Sequence, residues 1–360
     1  MPIYRVARGE AFAQGYPLGH DGDMDAVLLV SFGGPESMDE VMPFLRRVTA
    51  GRNVPEERLL LVAEHYFERD GVSPINDQNR ALLSALREAL PDVPVYWGNR
   101  NSAPWLADAF TEMAANGVTR VIAVFTSAYS SYSGCRQYRE NLAEANTVGL
   151  PVVKIPNYYN LTGFVAGNLD NLRASLTDVA PDARVVFTTH SIPVAMQDGS
   201  GPGGGQYVAQ HLAVAQYLME QVAARTGVVY GWDLVYQSRS GPPQVPWLEP
   251  DINDHMRQLA NAGTTSVVVA PIGFISDHME VVQDLDTEAA ETAAELGLAF
   301  RRVPTVGLHP GFVAGLATSI EAVRGGGEVD VAFGEPLPTP CLTGCCPNLR
   351  GGKPTLCERS

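Results

Sequence analysis

LANAGTTSVVVAPIGFISDHMEVVQDLDTE, residues 259–288, reads as a helix end, a glycine turn, a buried strand and an acidic helix. Residues 267–275 carry no charge, the mark of a strand covered on both faces. In the acidic helix beyond it, Glu280, Asp284 and Glu288 fall four apart and share one face. Stacked carboxylates repel one another and weaken the helix that carries them. Spacing alone leaves two readings open. One is a solvated acidic face in a chain that is acidic throughout. The other is a row of oxygen ligands along which a hard divalent cation passes.

The stretch has a counterpart upstream. MAANGVTRVIAVFTSAYSS (113–131) aligns with LANAGTTSVVVAPIGFISD (259–277), helix end on helix end, Gly117 on Gly263, strand on strand. A Pro-Trp pair precedes each, Pro104-Trp105 and Pro246-Trp247. Apolar strands alternate with amphipathic helices throughout, the α/β signature. Strands are expected at 25–30, 93–97, 120–125, 152–155, 183–188, 233–236 and 267–275. Helices are expected at 38–48, 56–67, 76–89, 105–116, 137–145, 207–226 and 251–261, ahead of the acidic one. The repeat predicts two similar Rossmann-like, doubly wound lobes facing each other, 25–178 and 179–335. A loosely ordered extension (1–24) precedes them and a Cys-rich segment (336–360) comes after. In such sheets the ligand crevice lies outside the carboxyl ends of the strands. Polar residues gather at those ends, at 31–34, 98–99, 126–133, 189–191, 237–238 and 276–278.

The 360 residues leave room for two domains, and 45% apolar with 18% charged residues is ordinary for a globular protein. A net charge of -15 argues against binding nucleic acid or an anionic membrane surface. No apolar run approaches a membrane span, and the N-terminus lacks the basic start and apolar core of a secretory signal. A cytoplasmic protein is expected. Cys341, Cys345, Cys346 and Cys357 crowd the C-terminus while Cys135 stands alone upstream. In a reducing compartment that density argues for a metal or iron–sulfur site rather than disulfides. Four thiolates suit a [2Fe–2S] cluster or zinc, and five candidates compete for the four places.

His190 ends a strand and is followed by Ser191-Ile-Pro193. A lone histidine is a structural hydrogen-bonder or, neutral at pH 7, a proton acceptor or metal ligand. If the lobes face each other, His190 and Glu280 converge across the cleft, backed by Asp284 and Glu288. That set fits metal delivery coupled to proton removal. Gly203-Gly-Gly205 matches no dinucleotide or P-loop fingerprint, and no nucleophile elbow surrounds Ser133.

His190-Ser-Ile-Pro193 and the acidic stretch 276–288 together resemble the ferrochelatases. So do Gly71-Val-Ser-Pro74, Gln237-Ser238 and Pro246-Trp-Leu-Glu-Pro-Asp251, within a likeness covering 25–338. The resemblance implies a porphyrin cleft between the lobes and insertion of Fe2+ with release of two pyrrole protons. By position, His190 and Glu280 would be the catalytic pair and first metal contacts, with Asp284 and Glu288 continuing the Fe2+ path. The chain is most similar to the actinobacterial branch. That implies coproporphyrin III as substrate, within haem biosynthesis, and a [2Fe–2S] cluster on Cys135, Cys341, Cys345 and Cys346, with Cys357 in reserve. Phe32, Arg52, Ser73 and Tyr138 are expected at the substrate. Phe32 stands where many coproporphyrin-using relatives carry a tyrosine able to ligate iron. A monomer is expected, with only transient contact to the next enzyme of the haem pathway. The alternatives are a protoporphyrin IX ferrochelatase and a porphyrin- or haem-binding sensor without turnover.

Overall fold

The first strand, β1 (Asp25–Ser31), is apolar from Ala26 to Val30, and all five side chains are fully buried. A run apolar on both faces needs cover on both faces, which a parallel sheet with crossover helices supplies. The computed structural model, which describes residues 24–242 and 244–358, has that architecture twice. Except for Met24, the expected N-terminal extension lies outside the described residues.

The first unit runs β1, α1 (Met38–Val48), α2 (Glu56–Phe67), α3 (Ile75–Ala89), β2 (Val95–Asn99), α4 (Leu106–Ala115), β3 (Arg120–Phe125), α5 (Gln137–Ala145), β4 (Val152–Lys154) and α6 (Thr162–Ser175). The second begins with β5 (Arg184–His190), α7 (Val194–Asp198), α8 (Gln206–Thr226), β6 (Gly231–Gln237), α9 (Ile252–Asn261) and β7 (Ser266–Ala270). It ends with α10 (Met279–Val281), α11 (Ala290–Glu295), β8 (Ala299–Arg302) and α12 (Pro310–Gly325). The sheets have orders β2-β1-β3-β4 and β6-β5-β7-β8, parallel throughout. Numbered within each lobe, both orders read second, first, third, fourth. The aligned stretches of the repeat are the third strands, β3 and β7. In this order the strand sequence reverses between β1 and β3 and between β5 and β7, the place where sheets of this kind bind ligands at the carboxyl ends of their strands.

Several boundaries differ from expectation for local reasons. β7 stops at Ala270 instead of continuing to 275, because Pro271 has no N–H for the ladder. β5 extends to His190 and pairs it with Gln237. Helices α6, α7 and α12 and strand β8 carry no expected counterpart. Of these, α12 returns to the first sheet and packs on α6 and α3. Arg324 near its end bonds Asp25 at 3.3 Å, and its carbonyl accepts from Arg120 Nη2 at 3.1 Å. The largest core cluster accordingly runs through both lobes, from Val27 and Ile122 to Val185, Val268 and Phe312. No helix among the described residues is long and apolar enough to cross a membrane.

The α6–α12 crossing depends on glycines. A Cβ at Gly163 would lie 2.1 Å from Gly311 O and 3.1 Å from Gly315 Cα. Backbone cannot swing aside as a flexible side chain can. Gly163→Ala is expected to cost about 1–3 kcal/mol in urea unfolding, the range for overpacking. Gly325→Ala, with nothing within 4 Å, should be neutral or slightly stabilising. Equal midpoints for the two variants would show that the close approach carries no stability.

Candidate active site

β5 and β7 are neighbours, so the segments leaving their carboxyl ends meet side by side. His190 is the last residue of β5, and Glu280 lies in α10, just beyond β7. Their Nε2 and Oε2 atoms are 3.6 Å apart. Both residues belong to the second lobe, so they do not converge from opposite lobes as the sequence suggested. His190 Nδ1 bonds Ser191 O, and since a carbonyl only accepts, that nitrogen carries the hydrogen. In the neutral ring Nε2 is then the bare nitrogen, turned to Glu280. Burial alone lowers the basicity of His190, but Glu280, the Ser191 carbonyl and Asp284 raise it above the usual imidazole value. Burial pushes Glu280 up, and the charges of His190, His278 and Arg52 more than reverse this, holding it at about 2. His278, present in the quoted stretch but given no role, is a second imidazole beside the pair. Burial lowers its basicity.

The acidic helix is not a plain α-helix. After α10 the backbone opens into a π-helical segment, Val282–Ala289, and closes again at α11. Residues four apart still stack along one side of the wider turn, so Asp284 and Glu288 continue the line from Glu280. Burial lifts Asp284 to about 7, with the charges of Glu280 and Glu288 adding to the effect against a hydrogen bond from Ser238. Ser238 and Gln237, at the end of β6, both donate to Asp284 Oδ2. Glu288 accepts from Gln283 at 3.3 Å. Each carboxylate thus rests on a protein partner. No three His, Cys, Asp or Glu side chains among the described residues converge as a ready single-ion site.

Arg302, at the end of β8, fixes this segment from behind. Its guanidinium bonds Asp286 Oδ1 at 2.5 Å inside the π-helical run and Asp277 Oδ2 at 2.9 Å just before it. Thr305 adds a bond to Asp277. In front, α1 and α2 fold over the site. Met279 packs among Val41, Phe44, Leu45, Leu59, Ala63 and Tyr66, so the residue before Glu280 is embedded in the first lobe's excursion. Asp277 N–H also bonds Gln78 of α3, tying the lobes at 2.9 Å.

The expected substrate contacts fall in different places. Phe32 is half-buried, edge-on to Phe44 at 6.1 Å, with the Arg100 guanidinium 5.5 Å from its ring. Arg52 is exposed and feels the charges of Arg350, Arg100 and Glu280, which puts it at the rim. Tyr138 is buried against Phe125 and reaches the crevice only through Arg100, whose guanidinium lies 4.3 Å from its ring. Ser73 is buried behind Gly34 and supports the loop instead of lining the opening. Sequence reading missed Arg100 and Arg350, since single arginines in irregular segments carry no periodic signal.

The cysteines are gathered although far apart in sequence. Cys135 and Cys341 pair with each other, and the Cys345 and Cys346 sulfurs are 3.8 Å apart. Cys341 is lowered to about 5 by its bond to Cys135 and then by Lys154 and Arg139, against burial. Cys346 has a left-handed backbone and accepts Gly201 N–H at 3.1 Å. Cys357 turns away, donating to Val152 O, and burial pushes it up to about 12. A separate hollow of about 490 Å³, lined by Leu90, Val93 and Val95, lies at the amino end of β2, the wrong end for a crevice of this fold.

Comparison with known proteins bears on this geometry. The ferrochelatase family pattern matches residues 24–323. A coproporphyrin III ferrochelatase of Streptomyces griseus is 52% identical, covering 92% of this chain and 95% of its own. One of Streptomyces coelicolor is 51% identical, covering 90% and 93%. Among solved structures, SirB from Bacillus subtilis with Fe3+ aligns at TM-score 0.53 and 12% identity, over 86% of this chain and 99% of its own, a likeness of fold.

The clamp behind the acidic row can be tested without any assay of turnover. Arg302→Gln releases Asp286 within the π-helical segment and Asp277 ahead of α10, and Co2+ affinity measured by calorimetry should fall about tenfold, the usual cost of losing an outer support. Arg302→Lys should retain part of it. Unchanged affinity in both would show that the clamp does not shape the carboxylate row.

Proposed function

The chain belongs to the ferrochelatase family, and from that premise we propose that it inserts Fe2+ into coproporphyrin III in haem synthesis, releasing two protons. The observation that carries the reading is the His190–Glu280 contact at the ends of β5 and β7, continued by Asp284 and Glu288. With Nδ1 committed to Ser191 O, Nε2 of His190 is free to take a pyrrole proton. The imidazolium so formed lies against Glu280, which stays ionised because its value is held near 2. Asp284 and Glu288 offer hard oxygen ligands that take water's place around the incoming Fe2+.

Substrate charge supports the same reading. Coproporphyrin III is a tetracarboxylate, and Arg52, Arg100 and Arg350 crowd one rim of a chain that is otherwise strongly acidic. Arg pairs with carboxylates through its planar fork. Phe32 has no oxygen to offer iron. Its half-buried ring, packed on Phe44 under Arg100, suits contact with the flat face of a macrocycle.

The cysteine group fits a [2Fe–2S] cluster in its donors. A metal–sulfur bond of about 2.3 Å in a tetrahedron separates two sulfurs by roughly 3.8 Å, and the Cys345 and Cys346 sulfurs have that spacing. Buried N–H groups of Arg139 and Asn157 beside the thiols make no hydrogen bond within the protein and suit a sulfur-rich anion as acceptor. Cys135, Cys341, Cys345 and Cys346 would hold the cluster, with Cys357 already bonded to backbone. Bound there, it would supply one-electron chemistry and a cross-link between the C-terminal segment and the turn 132–136 that precedes α5.

The deciding assay is anaerobic metallation of coproporphyrin III and protoporphyrin IX, offered separately with Fe2+. Fast turnover of coproporphyrin alone is expected. Binding of either porphyrin without turnover would leave a sensor, not an enzyme. His190→Ala should lower turnover by at least about 100-fold while porphyrin fluorescence quenching still reports binding. Glu280→Gln should reduce the rate strongly, and a wild-type rate would remove it from the chemistry. Cys345→Ser should bleach visible iron–sulfur absorption; retained colour would displace Cys345 from the ligand set.

A further inference from the structure

The surroundings of the thiols carry more than a place for a ligand. Arg139 of α5 is fully buried. Its Nη2 donates to Cys345 O at 3.0 Å, while Nε and Nη1 make no hydrogen bond. Glu358 Oε2 lies 4.0 Å from Nη1, beyond bonding distance. Asn157 places its Oδ1 on the Cys135 thiol at 3.5 Å and on Lys154 Nζ at 3.0 Å, and its buried Nδ2 makes no bond. Lys154, 1% exposed, brings a second cation.

A buried guanidinium with idle donors is costly, since desolvating an ion takes several kcal/mol unless charge and hydrogen bonds are both met. The same holds on a smaller scale for a buried amide N–H. Three such donors belong to two residues that touch the cysteine group, Arg139 at the Cys345 carbonyl and Asn157 at the Cys135 thiol. Glu358, the carboxylate beside Arg139, is already shared by Gly344 N–H and the Thr355 hydroxyl. The donors call for an acceptor of larger radius and negative charge, lodged among the sulfurs.

We propose that Arg139 and Asn157, with Lys154, form the outer shell of the cysteine site. On this assignment the Arg139 Nε–H and Nη1–H and the Asn157 Nδ2–H donate to the sulfur atoms of the bound cluster. The proposal rests on the cluster reading above and goes beyond it by naming residues that set the cluster's charge balance. An oxidised [2Fe–2S] group on four thiolates carries two negative charges. Arg139 and Lys154 supply two positive ones. Adding an electron raises the negative charge, which buried cations and N–H donors favour. The shell therefore raises the reduction potential and slows loss of the cluster.

The test uses the full-length protein purified anaerobically. Iron and acid-labile sulfide are counted first, and wild-type protein lacking both would overturn the cluster reading and this assignment with it. In cluster-bearing protein, dye-linked redox titration and the decay of visible absorption in an iron chelator are then compared across variants. Arg139→Gln should lower the potential and shorten the lifetime about tenfold. Arg139→Lys, keeping the charge but not the fork, should fall between. Unchanged potential and lifetime in Arg139→Gln would overturn the outer-shell role while leaving the cluster in place. If Arg139→Gln does not fold, Asn157→Leu decides: faster bleaching supports the assignment, and wild-type decay refutes it.

Discussion

A π-helical run of eight residues is an expensive way to wind a chain, since such turns otherwise occur mostly as single bulges. Here it carries carboxylates that repel one another as well. Nothing in the segment's own backbone favours this state, so it must be imposed from outside. Arg302 grips it from β8, Gln237 and Ser238 take Asp284 from the end of β6, and the α1–α2 excursion encloses Met279. Each support sits on a different element, two at strand ends of the second lobe and one on helices of the first. The site is thus a property of both lobes together rather than of the acidic stretch alone.

The internal repeat was legible because buried parallel strands and their glycine turns leave a strong pattern, and both sheets have the strand order that a duplication implies. The placing of His190 was legible for the same reason, since it ends β5, and Glu280 follows in the first helix after β7. Other features left no local trace. α12 is apolar around much of its circumference and contains glycines, so it lacks a one-sided stripe, and its docking on the first lobe depends on Gly163 meeting Gly311. The π winding carries no local pattern, and Arg302, which bonds Asp286 within it, lies on another element. Arg100, Arg139 and Lys154 stand singly in the sequence, and only the fold reveals what they lie against. Ser73 and Tyr138 are polar residues beside the opening that packing assigns to support.

Charge is distributed with a purpose that the net value hides. The acidic surplus includes the carboxylates of 280–288, while guanidinium groups collect around Arg52 and beside the cysteines. Glu280 and Asp284, four residues apart, are driven in opposite directions, to about 2 and about 7, by imidazoles on one side and burial on the other. Two identical functional groups thereby acquire different proton affinities within one turn of chain.

The bond from Gly201 N–H to Cys346 ties the C-terminal segment to the glycine loop between α7 and α8, and Pro347 closes against Gly199 in the same loop. That loop is the continuation of the segment that leaves His190. Opening the chain's end therefore releases a backbone amide in its middle, making the two a single unit of local unfolding. Hydrogen exchange at Gly201 would track the state of the cysteine segment, so the proteolytic fate of the C-terminus and the order of the loop beyond His190 are one quantity measured in two places.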